Sequence, residues 1–132
     1  MKVLALDYGS ARTGVAVSDP SGTLARPVGV VEKVRGDAGK ARLLEVIREQ
    51  EPERIVVGLP LTLRGTRGEQ ARETERFVAE LRAAVAVPVE TFDERFTTTL
   101  ASRTGGTDAP EDARAAAHLL SSFLEWQSRA SR

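Results

Sequence analysis

The sequence predicts an α/β fold: a mixed five-stranded sheet, three antiparallel strands followed by two parallel ones, flanked by helices. Three observations carry this. Short apolar runs of strand length stand at 3–6, 15–18, 28–34, 54–58 and 88–92, whereas 37–51, 69–84 and 110–127 carry apolar residues at helical spacing. The first three runs follow one another across turn signals with no helix between them, as in an antiparallel meander. The last two each follow a helix, so right-handed crossovers make them parallel.

The elements justify themselves in order. Val3 to Leu6 is a buried strand that stops at Asp7-Tyr8-Gly9, and the turn from Gly9 to Gly14 leads into Val15-Ala16-Val17-Ser18. Pro20-Ser21-Gly22 marks the next turn, before Val28 to Val34. Leu43, Leu44 and Ile47 lie on one helical face, and Pro52 ends that helix. Arg54 to Gly58 is a short buried strand, followed by a loop with Gly58, Pro60, Gly65 and Gly68. The second helix, Glu69 to Ala84, aligns Thr74, Phe77, Val78 and Leu81. Pro88 to Phe92 forms the fifth strand and ends in Asp93-Glu94-Arg95; Gly105-Gly106 predicts a flexible connection to the last helix. Nothing repeats and no linker divides the chain, so residues 1–132 read as one domain. Such sheets place their sites beyond the carboxyl ends of strands, where Asp7, Gly58 and Asp93-Glu94 fall.

Composition excludes more than it adds. Hydrophobic residues at 41% and charged residues at 29% describe an ordinary globular chain, and aromatics at 5% leave an aliphatic core. No apolar stretch approaches the roughly 20 residues of a membrane span. The acid at position 7 comes too early for a signal peptide's apolar segment, so a cytoplasmic protein is expected. With no cysteine and His118 as the only histidine, thiol catalysis and Cys/His zinc sites are ruled out. Carboxylates, hydroxyls and guanidinium groups remain. Carboxylate sites suit hard cations such as Mg²⁺ or Mn²⁺. The net charge is zero, yet all basic residues except Lys2, Lys33 and Lys40 are arginine, the side chain suited to bidentate phosphate contacts.

Two acids stand out by position. Asp7 continues the period-two row Val3, Ala5, so its side chain leaves the sheet beside apolar neighbours; a turn-capping aspartate is the plainer alternative. Asp112 begins a helical row of Ala115, Ala116, Leu119, Leu120 and Phe123, which aims a carboxylate along a buried face. An acid there is costly unless paired with a cation. Asp108 and Glu111 resemble a capping box, and Glu111 already serves the helix dipole, so Asp112 is a candidate metal ligand. Of the adjacent Asp93 and Glu94, which point opposite ways on a strand, Glu94 is favoured as a ligand and Asp93 is the alternative. Arg64 and Arg67, in the Gly-rich loop, and Arg95, Thr97 and Thr98 are candidates to grip a phosphate. Arg72 and Arg76 read as a solvated helix face pairing with glutamates. His118 falls on the row opposite Asp112 and is expected in solvent, and Trp126 is expected to pack rather than stack on bases.

Placed in this order, the segments resemble the YqgF/RuvX family of pre-rRNA nucleases and Holliday-junction-resolvase-like proteins, which have the RNase H-like fold. The matching stretches are Leu6-Asp7-Tyr8-Gly9 with Arg12-Thr13-Gly14-Val15-Ala16-Val17-Ser18-Asp19, then Val57-Gly58-Leu59-Pro60-Leu61. Asp93-Glu94-Arg95-Phe96-Thr97-Thr98 and Asp112 through Leu120 complete the set. The resemblance implies an active site of Asp7, Glu94 (or Asp93) and Asp112, with the loop from Gly58 to Gly68 and Arg12 along the substrate groove. It further implies two-metal hydrolysis of a phosphodiester bond with Mg²⁺ or Mn²⁺. The substrate it points to is the 5′ end of precursor 16S rRNA, on free RNA or ribosomal particles; branched or single-stranded DNA, as in junction resolution or repair, comes second. A resolvase would need a homodimer, whereas an RNA nuclease could be a monomer. Relatives often carry a basic segment before the last helix, where this chain has Thr104-Gly105-Gly106-Thr107-Asp108. An Asp-x-Gly turn before a hairpin also opens sugar kinases and actin-like ATPases, but those require two such domains. A non-catalytic ribosome-assembly factor is the remaining alternative, and intact acids at all three positions speak against it.

Overall fold

A computed structural model of the chain describes residues 1–62, 64–97 and 109–130. Strands β1 (Val3–Asp7), β2 (Arg12–Ser18), β3 (Ala25–Glu32), β4 (Arg54–Leu59) and β5 (Val89–Asp93) form one sheet in the order β3-β2-β1-β4-β5. The β1–β2 and β2–β3 pairs are antiparallel, and β1–β4 and β4–β5 are parallel. This is the mixed five-stranded sheet the sequence predicts. Helices α1 (Asp37–Gln50) and α2 (Glu69–Ala84) precede β4 and β5, a 3₁₀ turn over Glu94–Phe96 follows β5, and α3 (Glu111–Ala130) closes the described chain.

Strand alternation sorts the core into two layers. Leu4, Leu6, Val15, Ile55 and Val57 face α1 and α2, packing with Leu43, Ile47, Phe77, Val78 and Leu81. Val3, Ala5, Ala16 and Val56 face the other way, onto Ala116, Leu120 and Phe123 of α3. The small residues on the α3 side let the helix lie close to the sheet, which decides where its first turn lands.

Three expectations shift. β2 begins at Arg12, inside what the sequence reads as the turn before Val15. β3 begins at Ala25, ahead of the expected Val28, and includes Pro27. It is the sheet's outermost strand, where a residue without an N–H is tolerated. On α3 the buried set is Ala113, Ala116, Ala117, Leu119, Leu120, Ser122, Phe123 and Leu124, while Ala115 is only half-buried. The contact face is therefore rotated from the predicted row, and Asp112 lies at its border. Apolar residues at 113, 115, 116, 117, 119 and 120 make the periodic signal too broad to locate the centre of the face. His118, expected in solvent, is half-buried for the same reason. The predicted Asp108 cap and the Gly105-Gly106 connection lie outside the described residues.

Candidate active site

Because β1, β4 and β5 run parallel, their carboxyl ends meet at one end of the sheet. Asp7 ends β1, and Leu59 at the end of β4 stands opposite Asp93. Asp7 continues the Val3–Ala5 row and so projects toward α3, as predicted. Tyr8 turns to the other face, stacks on Phe77 with ring centroids 4.6 Å apart, and donates its hydroxyl to Glu73 at 2.8 Å. Burial, with the Glu73 carboxylate beside it, pushes the Tyr8 phenol up to about 12. The backbone just after Asp7 is thus pinned to α2.

Asp112 arrives at the same end through a glycine. Gly14 is the cross-strand partner of Asp7, and a Cβ placed on it would lie 1.8 Å from the Asp112 carbonyl oxygen. Only a residue without a side chain lets the first turn of α3 rest on β2 there. Arg12, two residues earlier on the same strand face, donates its Nε to Asp112 Oδ2 at 2.9 Å.

Glu94 and Asp93 part company. Asp93 caps the 3₁₀ turn, accepting the Arg95 backbone N–H at 2.9 Å and the Arg95 side chain through Nε and Nη2. The Arg95 contacts hold its carboxyl below the usual carboxylate range. Glu94 instead folds over Gly58, where a Cβ would lie 2.6 Å from Glu94 Oε1. Burial first, and then the charge of Asp7, push Glu94 up to about 7. Asp7 is raised as well, by burial and by the Asp112 charge, against a lowering by its hydrogen bond with Glu94. That contact raises Glu94 and lowers Asp7.

Among the described residues, no three Asp, Glu or His side chains stand together as a ready metal cage. The convergence is a hydrogen-bonded pair, Asp7 and Glu94, with Asp112 within electrostatic reach. This donor set fits Mg²⁺ or Mn²⁺. Mg²⁺ in particular is held through one or two carboxylates plus substrate phosphates rather than by an all-protein cage. Two half-buried carboxyls that meet at one place are also where a cation can offset their charge.

The candidate substrate residues fall around this end in different states. Arg12 is paired with Asp112, and Arg67 approaches Glu75 of α2 at 3.5 Å. Arg64 is exposed on the loop after β4, whose turn is closed by hydrogen bonds between Thr62 and Thr66. Arg95 lies over Gly65, at φ +79°, and so joins the 3₁₀ turn to that loop. Thr97 Oγ1 is buried without a hydrogen-bond partner among the described residues. Thr98 lies outside the described residues. Trp126 packs edge-on against Phe92 at 5.9 Å, consistent with the predicted packing role. Missing from the sequence reading were Gly14 as the seat of Asp112, Gly58 as the space beneath Glu94, and Tyr8 as an anchor. A glycine inside a strand pattern is the signal that could have found the first two.

Comparison with known proteins follows from this geometry. A family model described as "RuvX: Holliday junction resolvase" matches residues 1–126. A Chloroflexus aurantiacus protein provisionally assigned as a pre-16S rRNA nuclease is 42% identical over 101 residues, 76% of this chain and 66% of that protein. An Anaeromyxobacter protein with the same assignment is 41% identical over 133 residues, 95% of this chain and 97% of its own. One from Streptomyces coelicolor is 46% identical over 76% of this chain and 60% of its own length. This chain thus spans about two thirds of the Chloroflexus protein and nearly all of the Anaeromyxobacter one. Among solved structures, Thermus thermophilus RuvC in complex with a Holliday junction substrate matches with TM-score 0.62 and 20% identity, over 98% of this chain and 96% of that one. The fowlpox virus Holliday junction resolvase matches with TM-score 0.52 and 10% identity, over 98% and 97%. These last two similarities concern the fold alone.

Proposed function

Because the chain belongs to the YqgF/RuvX family, we propose that it is a metal-dependent nuclease, hydrolysing phosphodiester bonds with Asp7, Glu94 and Asp112 as its metal-holding acids. One observation carries this: Asp7, ending β1, and Glu94, in the 3₁₀ turn after β5, meet in a partly buried spot that raises both carboxyls and also feels Asp112. Such a cluster of like charges costs stability and is kept where chemistry needs it. Divalent cations, when bound, supply electrophilic assistance to phosphodiester hydrolysis, here in a two-metal arrangement. The chain's own residues do the rest. Asp7 and Glu94 would present carboxylate oxygens to the cation, and Asp112 would add a third carboxylate from α3. Tyr8 fixes the end of β1. Arg95, held by Asp93, braces the loop that carries Arg64 and Arg67 toward phosphates.

The substrate we favour is precursor 16S rRNA, for which the relatives are named, with the 5′ end as the site of cutting that the family resemblance implies. That substrate would place the protein in the cytoplasm, acting on free RNA or on ribosomal particles. Among the described residues, no helix is long and apolar enough to cross a membrane. A four-way DNA junction is the second candidate, favoured by the description of the matching family model. Zero net charge weighs against a tight duplex binder, since phosphate neutralisation supplies most non-specific affinity.

The deciding experiment offers single-stranded RNA, a precursor rRNA 5′ leader and a synthetic four-way junction to wild type and Asp7→Asn, with Mg²⁺ or Mn²⁺. Metal-dependent cutting that the variant loses supports the proposal, and the preferred substrate ranks the two candidates. Failure of well-folded wild type to cut any of them would favour a non-catalytic assembly role. Gel filtration at working concentration separates a monomer from the homodimer a resolvase needs.

A further inference from the structure

Resting on the metal-dependent function just proposed, we infer that Arg12 is the internal counter-cation of Asp112. It neutralises that carboxylate in the metal-free protein and releases it when a divalent cation binds.

β2 holds Asp112 by two different handles. Gly14 seats the Asp112 backbone so closely that a Cβ would lie 1.8 Å from its carbonyl oxygen. The main chain there packs directly against β2. Among the described residues the side chain is held by Arg12 Nε, at 2.9 Å, with the arginine side chain 64% and the aspartate side chain 40% exposed. Exposed ion pairs of this kind contribute little and exchange readily. Asp93 and Arg95 make the contrast, since that carboxylate accepts from a backbone N–H and from two guanidinium nitrogens. One pair is built to stay and the other can open by rotation of a side chain.

Charge says what the opening is for. Asp112 raises Asp7, and Asp7 raises Glu94, so the three carboxyls repel one another across the end of the sheet. The Arg12 guanidinium, 2.9 Å from Asp112, offsets part of that repulsion. A cation bound by these acids takes over that part, and the released guanidinium remains on β2 at the mouth of the site.

The test is calorimetric titration of MnCl₂ into metal-stripped wild type, Arg12→Gln, Arg12→Met and Arg12→Lys, with thermal melts to verify folding. Removing the competing charge should tighten Mn²⁺ binding about three- to tenfold in both uncharged variants, the scale of one screened charge contact. Arg12→Lys should stay near wild type, because the charge remains. Unchanged or weaker binding in the folded uncharged variants, with wild type binding normally, would overturn the counter-cation role and leave the nuclease proposal standing. Absence of Mn²⁺ binding in all four proteins would overturn both.

Discussion

Gly14 and Asp112 touch through their backbones: the space a Cβ would need on Gly14 is filled by the Asp112 carbonyl group. Gly14 also stands directly across from Asp7, so one missing side chain brings the candidate acids of β1 and α3 together. Gly14→Ala should therefore displace the first turn of α3. The expected loss is roughly 1–3 kcal/mol of stability, the usual range for overpacking, read by urea denaturation. Cleavage should fall even in the fraction that folds.

Gly58 predicts the opposite balance. Its added Cβ would meet Glu94 Oε1 at 2.6 Å and Leu119 Cδ2 at 3.1 Å, side-chain atoms rather than backbone. Gly58→Ala can be accommodated by swinging Glu94 aside. The melting temperature should change little while kcat drops on the order of 100-fold, as expected for displacing a reacting group by about an ångström. A variant that unfolds yet keeps its specific activity would reverse this assignment.

Glu94 sets a pH dependence whose sign is fixed. Its value in the folded chain, about 7, lies above the ordinary 4.5, so the folded state holds the proton more tightly than the unfolded one. The associated stability is full below pH 4.5 and disappears as pH rises through about 7. In EDTA the melting temperature should fall across that window, and Glu94→Gln should flatten the fall. Saturating Mn²⁺ should restore the loss at the alkaline end.

Asp7→Asn should separate stability from function. Burial and the Asp112 charge both disfavour the Asp7 carboxylate, and an amide escapes both. Above pH 7 the variant should melt at or above the wild-type temperature while losing metal-dependent cleavage. A marked drop in melting temperature would instead make Asp7 a structural residue.

Asp93 tests the choice between neighbours. It is occupied by Arg95, which lies over Gly65 of the loop after β4. Asp93→Asn should leave Mn²⁺ affinity within about twofold and raise KM severalfold, because it weakens a brace rather than a ligand. Loss of Mn²⁺ binding would make Asp93 a ligand after all.

The order of strands and helices, the two directions of pairing and the placement of polar clusters at strand ends were legible in the sequence. Local physics encodes them. Apolar spacing distinguishes strand from helix, a helix between two strands makes them parallel, and alternation sends Asp7 to the same face as Val3 and Ala5. The preference for Glu94 over Asp93 as ligand came from alternation and resemblance. The structure separates them by a different cause: the chain leaves the strand at Asp93, and Arg95 claims that carboxylate.

Three features needed the tertiary structure. The rotation of α3 was ambiguous because its apolar residues cover more than one face, and packing against Ala5, Ala16 and Gly14 chose among them. The raised carboxyls of Asp7 and Glu94 depend on two residues far apart in sequence meeting in a partly buried place, which no local pattern records. The pairing of Arg12 with Asp112 spans 100 positions and exists only because β2 and α3 are in contact. Residue types determined which groups could do chemistry, and strand alternation fixed the face of Asp7, whereas helical periodicity left that of Asp112 open. Close approach, available only to a glycine facing a helix backbone, decided which of them meet.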